Sequence, residues 1–219
     1  MPLETPSMPS AAVHARSILT SAAISSWHVK HMISLQQVLA ALNAAGVEFV
    51  LAGAHSIGGW TKQPRATVDV DVVIAPRSHR KAIRAIQVAF PHLTTRDLDL
   101  VTRFAEPETK DVVIDLMKPK DRLIRTVFDN SIKIVLVGQP TRIPDLEMAA
   151  AMKFAAMVGV YRKISDKEQD GVDFRRIVEA NPKLEVDRLA RLAELVYAGG
   201  GPEVRGLVQA IHEGKRLEF

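Results

Sequence analysis

Two aspartates one residue apart, Asp69 and Asp71, are the side chains in this sequence best placed to do chemistry. They stand in the run Thr67-Val68-Asp69-Val70-Asp71-Val72-Val73-Ile74, whose alternation predicts a strand over 68–74. Successive side chains of a strand point to opposite faces. Both carboxylates would therefore leave one face, about 7 Å apart along the chain, with Val70 and Val72 on the other. Carboxylates aimed together out of a valine-rich strand are costly unless a cation or a proton joins them. A hard divalent ion that takes oxygen ligands, such as Mg2+, meets that need. The alternative is a pair solvated at the end of a strand and binding nothing.

Just upstream, the apolar run Val50-Leu51-Ala52 ends in Gly53-Ala54, and Ser56 follows. Glycine at that point lets a ligand approach the main chain closely, and a helix beginning there offers free backbone N–H groups to a phosphate.

The elements that must carry these residues are legible as periodicity and breakers. Ser34 reads as the N-cap of a helix whose apolar face is Leu35, Val38, Leu39 and Leu42, with Gly46 as its stop. A strand over 47–52 follows, then a short helix over 54–60 weakened by Gly58-Gly59. After the 68–74 strand, a helix runs from Pro76 to Phe90, with Arg77, Arg80, Lys81 and Arg84 as a basic, solvated face. Residues 98–104 and 111–116 read as paired strands, 120–128 as a short helix, and 132–137 as a strand broken by Gly138-Gln139-Pro140. From Pro144 onward the pattern is helical only, over 145–160, 166–180, 186–197 and 202–213. This order predicts an α+β fold with a mixed β-sheet core, flanking helices and a helical C-terminal part. The expected organisation is a core over 34–143, a helical region over 144–219 packed on it, and a separate segment over 1–33.

Gly53 with a small residue after a strand, then Arg65-x-Thr67-x-Asp69-x-Asp71 before an apolar strand, resembles the nucleotidyltransferase superfamily of the DNA polymerase β type. The nearest likeness is to its AbiEii-like and minimal nucleotidyltransferase branch, which includes toxins of toxin–antitoxin pairs, and it spans residues 35–180. The resemblance implies a nucleotidyltransferase-like sheet and a third carboxylate on a later strand, which Asp115 supplies. It also implies a helical lysine followed by an arginine and aspartates, matched in order by Lys153, Arg162, Asp170 and Asp173. On that likeness Asp69, Asp71 and Asp115 would hold Mg2+ or Mn2+ and catalyse transfer of NMP from an NTP, with Asp115 able to take the proton of the attacking hydroxyl. Gly53, Ala54, Ser56, Arg65, Thr67 and Lys153 would bind the nucleotide. The acceptor would be a tRNA, a protein or a small molecule, and the toxin members imply an antitoxin partner. An inactive or weak nucleotide- or partner-binding module of the same fold is the alternative.

One position departs from the family. Ala54 stands where a glycine or serine is usual, which keeps the backbone amide and loses a hydroxyl that Ser56 could replace. Arg65 either binds phosphate with its fork of donors or orients a carboxylate. Lys153 interrupts an apolar helical face, and either snorkels to water or reaches the triphosphate. In both cases Lys153→Met is expected to leave the helix packed. Arg162, Asp170 and Asp173 are expected to form a polar network pinning the C-terminal helices to the sheet.

Composition sets outer limits. The 219 residues carry a formal net charge of +4 and a pI near 9.4, which favours anionic partners such as nucleotides or RNA. There is no cysteine, so disulfides and thiolate metal sites are absent. No run approaches the length of about 18–20 apolar residues that a membrane span needs, and a cytoplasmic protein is the expectation. Residues 1–33 hold one acid, Glu4, against Arg16, Lys30 and three histidines. They read as a transit segment, a tail, or codons upstream of the true start.

Overall fold

A computed structural model describes residues 33–63, 66–160 and 162–216. The expectations for the N-terminal segment and for Arg65 lie outside these. Helix α1 (Leu35–Ala44) leads through Gly46, whose positive φ of 59° ends it, to strand β1 (Phe49–Leu51) and helix α2 (Gly53–Thr61). Strand β2 (Val70–Ile74), a 3-10 turn at Pro76–Ser78 and helix α3 (His79–Ala89) follow. Three strands come next: β3 (Thr94–Asp97), β4 (Val101–Ala105) and β5 (Val112–Met117). A 3-10 turn at Ile124–Thr126 precedes the hairpin β6 (Ser131–Leu136) and β7 (Gln139–Pro144). Helices α4 (Leu146–Val158), α5 (Ile164–Ala180), α6 (Val186–Ala193) and α7 (Gly200–His212) complete the α+β fold.

The main sheet has the order β1-β2-β5-β4-β3. Only the β2–β5 pair is parallel, and the rest are antiparallel. The alternation of side chains gives the sheet two unlike faces. On one, Val70, Val72, Ile74, Phe104, Ile114 and Leu116 are almost completely buried. Helix α3, packed on α1, covers this side, and Gln87 of α3 reaches Thr95 of β3. The opposite face carries Val73, Asp71, Asp115 and Arg103, and its apolar part joins the core formed with α2 and the C-terminal helices. Truncating a residue such as Leu116 or Phe154 to alanine would cost about 2–5 kcal/mol.

Helix α4 has little choice of environment. Met148, Ala149, Ala150, Ala151, Phe154 and Met157 are all buried, so it is wrapped by α5, α6 and the sheet instead of lying on the surface. Asp145 starts it as an N-cap, accepting from the Met148 N–H at 3.1 Å. Arg188 of α6 then holds Asp145 and Glu147, tying α6 to the start of α4.

Two sequence expectations need correction, and one strand lies outside them. Strand β2 begins at Val70, so Asp69 lies in the irregular approach and not in the strand. Strand β3 has no counterpart among the expectations, because Thr94-Thr95-Arg96-Asp97 is exposed throughout and has no apolar alternation to betray it. Gly138-Gln139-Pro140 does not end the strand but turns it. Val137 and Gly138 have positive φ values of 47° and 75°, the two-residue turn whose twist matches a tight hairpin, and Pro140 pairs with Val135.

Candidate active site

Asp71 and Asp115 are direct register partners across the parallel β2–β5 pair. Adjacent strands lie about 4.8 Å apart, and residues in register project to the same face, so the two carboxylates stand side by side. Both line a cleft of about 510 Å³ together with Gly53, Ser56, Lys153 and Arg162.

Gly53 is required here for two reasons. Its φ of 61° is a conformation side chains resist, and a Cβ on it would fall 2.1 Å from Asp71 Oδ2. The start of α2 thus lies directly against the carboxylate. Ala52 provides no side-chain cap, and its N–H donates to the Asp71 carbonyl at 2.8 Å, which locks the β1–α2 corner to β2. Ala54 is buried in the first turn of α2. The Ser56 hydroxyl is 2 % exposed and donates to the Gly53 carbonyl at 2.9 Å, so its proton is already committed.

The electrostatics of the pair are unbalanced. Burial, then the charges of Asp69 and Asp115, push the Asp71 carboxyl up to about 7 despite the opposing pull of Lys153 and Arg162. Burial also raises Asp115, which Arg103 partly offsets and Asp69 reinforces. Asp115 Oδ1 is buried without a hydrogen bond among the described residues, its nearest cation being Arg103 Nε at 3.5 Å. Asp69, held by the Thr67 hydroxyl, is near enough for its charge to act on both, yet it does not line the cleft. Among the described residues no three His, Cys, Asp or Glu side chains are gathered into a ready-made metal cage. The donor chemistry and the uncompensated charge nevertheless fit Mg2+, which is commonly held by one or two carboxylates completed by substrate phosphates and water.

Lys153 does not snorkel to water, the first of the two alternatives its sequence position suggested. It is 8 % exposed, and its ammonium bridges Asp170 Oδ1 at 2.9 Å and Asp173 Oδ2 at 2.8 Å. Arg162 closes the network on Asp170 Oδ2 at 2.7 Å. These residues pin α4 to α5, helix to helix, and not helix to sheet. Removing the lysine would take a shared cation from two buried carboxylates, so a loss of stability replaces the expectation that Lys153→Met is harmless. Lys153 still borders the cleft, and its charge reaches Asp71.

Sequence reading missed Arg103, the register partner of Asp115 on β4. Its signal was present but faint: it is the lone charge between Thr102 and Phe104, and only the pairing of β4 with β5 gives it meaning. Trp60, near the motif in sequence, is structural. Its indole N–H donates to the Pro144 carbonyl at 3.1 Å, and its own carbonyl accepts from Asn181.

No protein-family model matches this sequence, and no curated protein matches it. Several solved structures are similar to it. An antigenic nucleotidyltransferase-like protein from Paracoccidioides brasiliensis aligns with a TM-score of 0.46 and 16 % identity, over 81 % of this chain and 94 % of that one. The antibiotic-resistance factor ANT(2'')-Ia aligns with a TM-score of 0.48 and 12 % identity, over 82 % and 95 %. Terminal uridylyl transferase 4 from Trypanosoma brucei with bound GTP aligns with a TM-score of 0.30 and 16 % identity, over 78 % and 56 %. What the cleft can do follows from its own residues.

Proposed function

We propose that the protein is a metal-dependent nucleotidyltransferase that moves NMP from an NTP to an acceptor hydroxyl. The observation that carries this reading is the Asp71–Asp115 pair, two side-by-side carboxylates without enough positive charge, set against the glycine that opens α2. A partly buried anionic pair of this kind calls for a cation, and the α2 N-terminus beside it offers N–H groups to phosphate. Mg2+ held there supplies charge neutralisation to the transferring phosphoryl group and the leaving oxygen.

The residues then divide the work by position. Gly53 and the first turn of α2 hold the phosphates, and the absence of a side chain at Gly53 keeps room for Asp71. Thr67 fixes Asp69, whose charge reinforces the demand for a cation. The acceptor oxygen bonds to the α-phosphorus as the bond from that phosphorus to the α–β bridging oxygen breaks, and pyrophosphate leaves with the electron pair. The hydroxyl proton passes to Asp115, whose carboxyl burial has made more basic than an exposed aspartate.

The test is incubation with labelled NTPs, Mg2+ and cell extract. Wild type should label an acceptor, and Asp71→Asn and Asp115→Asn should not. Equal labelling by wild type and both variants sinks the reading. Calorimetric NTP binding without any labelling would favour a binding module, the reading to which Ala54 and the committed Ser56 proton lend support.

A further inference from the structure

Register places four charged residues in one line across the main sheet. Asp71 pairs with Asp115, Asp115 with Arg103, and Arg103 with Arg96 on the edge strand β3. Register partners share a face, so the row reads anion, anion, cation, cation at one level of the sheet. Flanking residues confirm the side. Thr95, Asp97, Thr102 and Phe104 serve the α3 face, through the Gln87–Thr95 contact and the His79–Thr102–Asp97 chain. Arg96 and Arg103 therefore belong to the cleft face.

Two like charges directly opposite on neighbouring strands destabilise a sheet. Arg103 is only partly answered by its long contact to Asp115, and it remains about half exposed, at 47 %. Arg96 has no carboxylate partner among the described residues and is exposed. Lys118 and Lys120, at the end of β5, already occupy Asp97 and Asp99, the acids nearest the β3–β4 turn. Asp121, the other acid lining this part of the cleft, accepts from the Ile124 N–H at 2.7 Å. The arginine pair is thus open for an external anion.

We propose that Arg96 and Arg103 form the acceptor site, and that they bind successive phosphates of a single-stranded nucleic acid whose terminal hydroxyl lies at Asp115. This rests on the nucleotidyl-transfer reading and deepens it. Gly53 and α2 flank Asp71 at one end of the row, where the donor triphosphate is held, and the arginines lie at the other. An acceptor must approach the reacting phosphorus from the side away from the leaving group, and that is the arginine side. Two long, flexible cations on adjacent strands, leading outward from the transfer point, give successive contacts to a chain of phosphates. Guanidinium forks also match phosphate geometry.

The test is fluorescence anisotropy of a 5′-labelled single-stranded oligoribonucleotide with a free 3′ hydroxyl, titrated at several salt concentrations. Wild type is compared with Arg96→Gln, Arg103→Gln and the double variant, each confirmed folded by thermal melting. Each substitution should weaken binding and reduce the slope of log K against log salt by about 0.7, the value for one phosphate contact to a single strand. NTP affinity, measured in parallel by calorimetry with Mg2+, should be unchanged in Arg96→Gln. An unchanged affinity and slope in the double variant overturns the proposal. So does a loss of NTP binding in Arg96→Gln, which would move the arginine to the donor, or tighter binding of a phosphoserine peptide than of the oligonucleotide. If wild type holds the oligonucleotide through these arginines but binds no NTP, the transferase reading fails while the nucleic-acid site stands.

Discussion

The protein holds two pairs of carboxylates beside one cleft, Asp170 and Asp173 buried and Asp71 and Asp115 partly buried, and they are treated in opposite ways. Asp170 and Asp173 are matched in charge by Lys153 and Arg162, at 2.7–2.9 Å. Asp71 and Asp115 have a single long contact to Arg103, and burial raises both carboxyls. A matched set of charges is a fastening between helices. An unmatched set is left open to a ligand and costs stability when ionised without one. Composition cannot tell the two apart, since each is a pair of aspartates on regular elements.

The largest expected effect tests the matched pair. Lys153→Met should destabilise the fold by about 3–5 kcal/mol, because two carboxylates then lose their shared buried cation. Urea denaturation checks this, and adding Asp170→Asn and Asp173→Asn should recover most of the loss. A stable single variant would mean that water reaches the network.

Next comes the unmatched pair. Asp71 holds its proton more tightly in the folded protein than in the unfolded chain. In EDTA, its contribution to stability is therefore complete below pH 4 and lost as pH rises through about 7. The loss is at most about 4 kcal/mol. Thermal melting of wild type in EDTA should fall between pH 5 and 8, Mg2+ should restore it at pH 8, and Asp71→Asn should flatten both responses. A flat wild-type profile would show that the pair is already compensated.

A smaller effect is expected at the contact between α2 and β2. Gly53→Ala should cost about 1–2 kcal/mol for the left-handed backbone alone, with a further penalty as the new methyl displaces the Asp71 carboxylate. Divalent-cation affinity, read by calorimetry with Mn2+, should fall with it. If affinity is kept while stability drops, Asp71 can reposition and Gly53 serves only the turn.

The smallest effect separates the two halves of the fastening. Arg162 is 46 % exposed, so Arg162→Gln should cost no more than about 1 kcal/mol, against the much larger loss at Lys153. Chemical denaturation of both variants side by side checks the ranking. Equal losses would mean that the guanidinium, and not the ammonium, carries the network.

By itself the sequence determined what local patterning can encode. The valine alternation around Asp71, the run from Val112 to Met117 that carries Asp115, the glycine after β1 and the alanine-rich helix α4 were all readable, because period and breakers act over a few residues. Edge strand β3 was not, since exposed on every residue it has no face to encode, and neither was the β6–β7 turn, where a valine takes a conformation usual for glycine or asparagine. Tertiary structure alone decided who stands beside whom. The register of β5 against β2 brings Asp115 to Asp71, and the pairing of β4 and β3 lines up Arg103 and Arg96 behind them. The packing of α5 on α4 makes Lys153 the bridge between Asp170 and Asp173. Each of these is a contact between residues far apart in the chain, where the energy depends on distance and burial that no local pattern records.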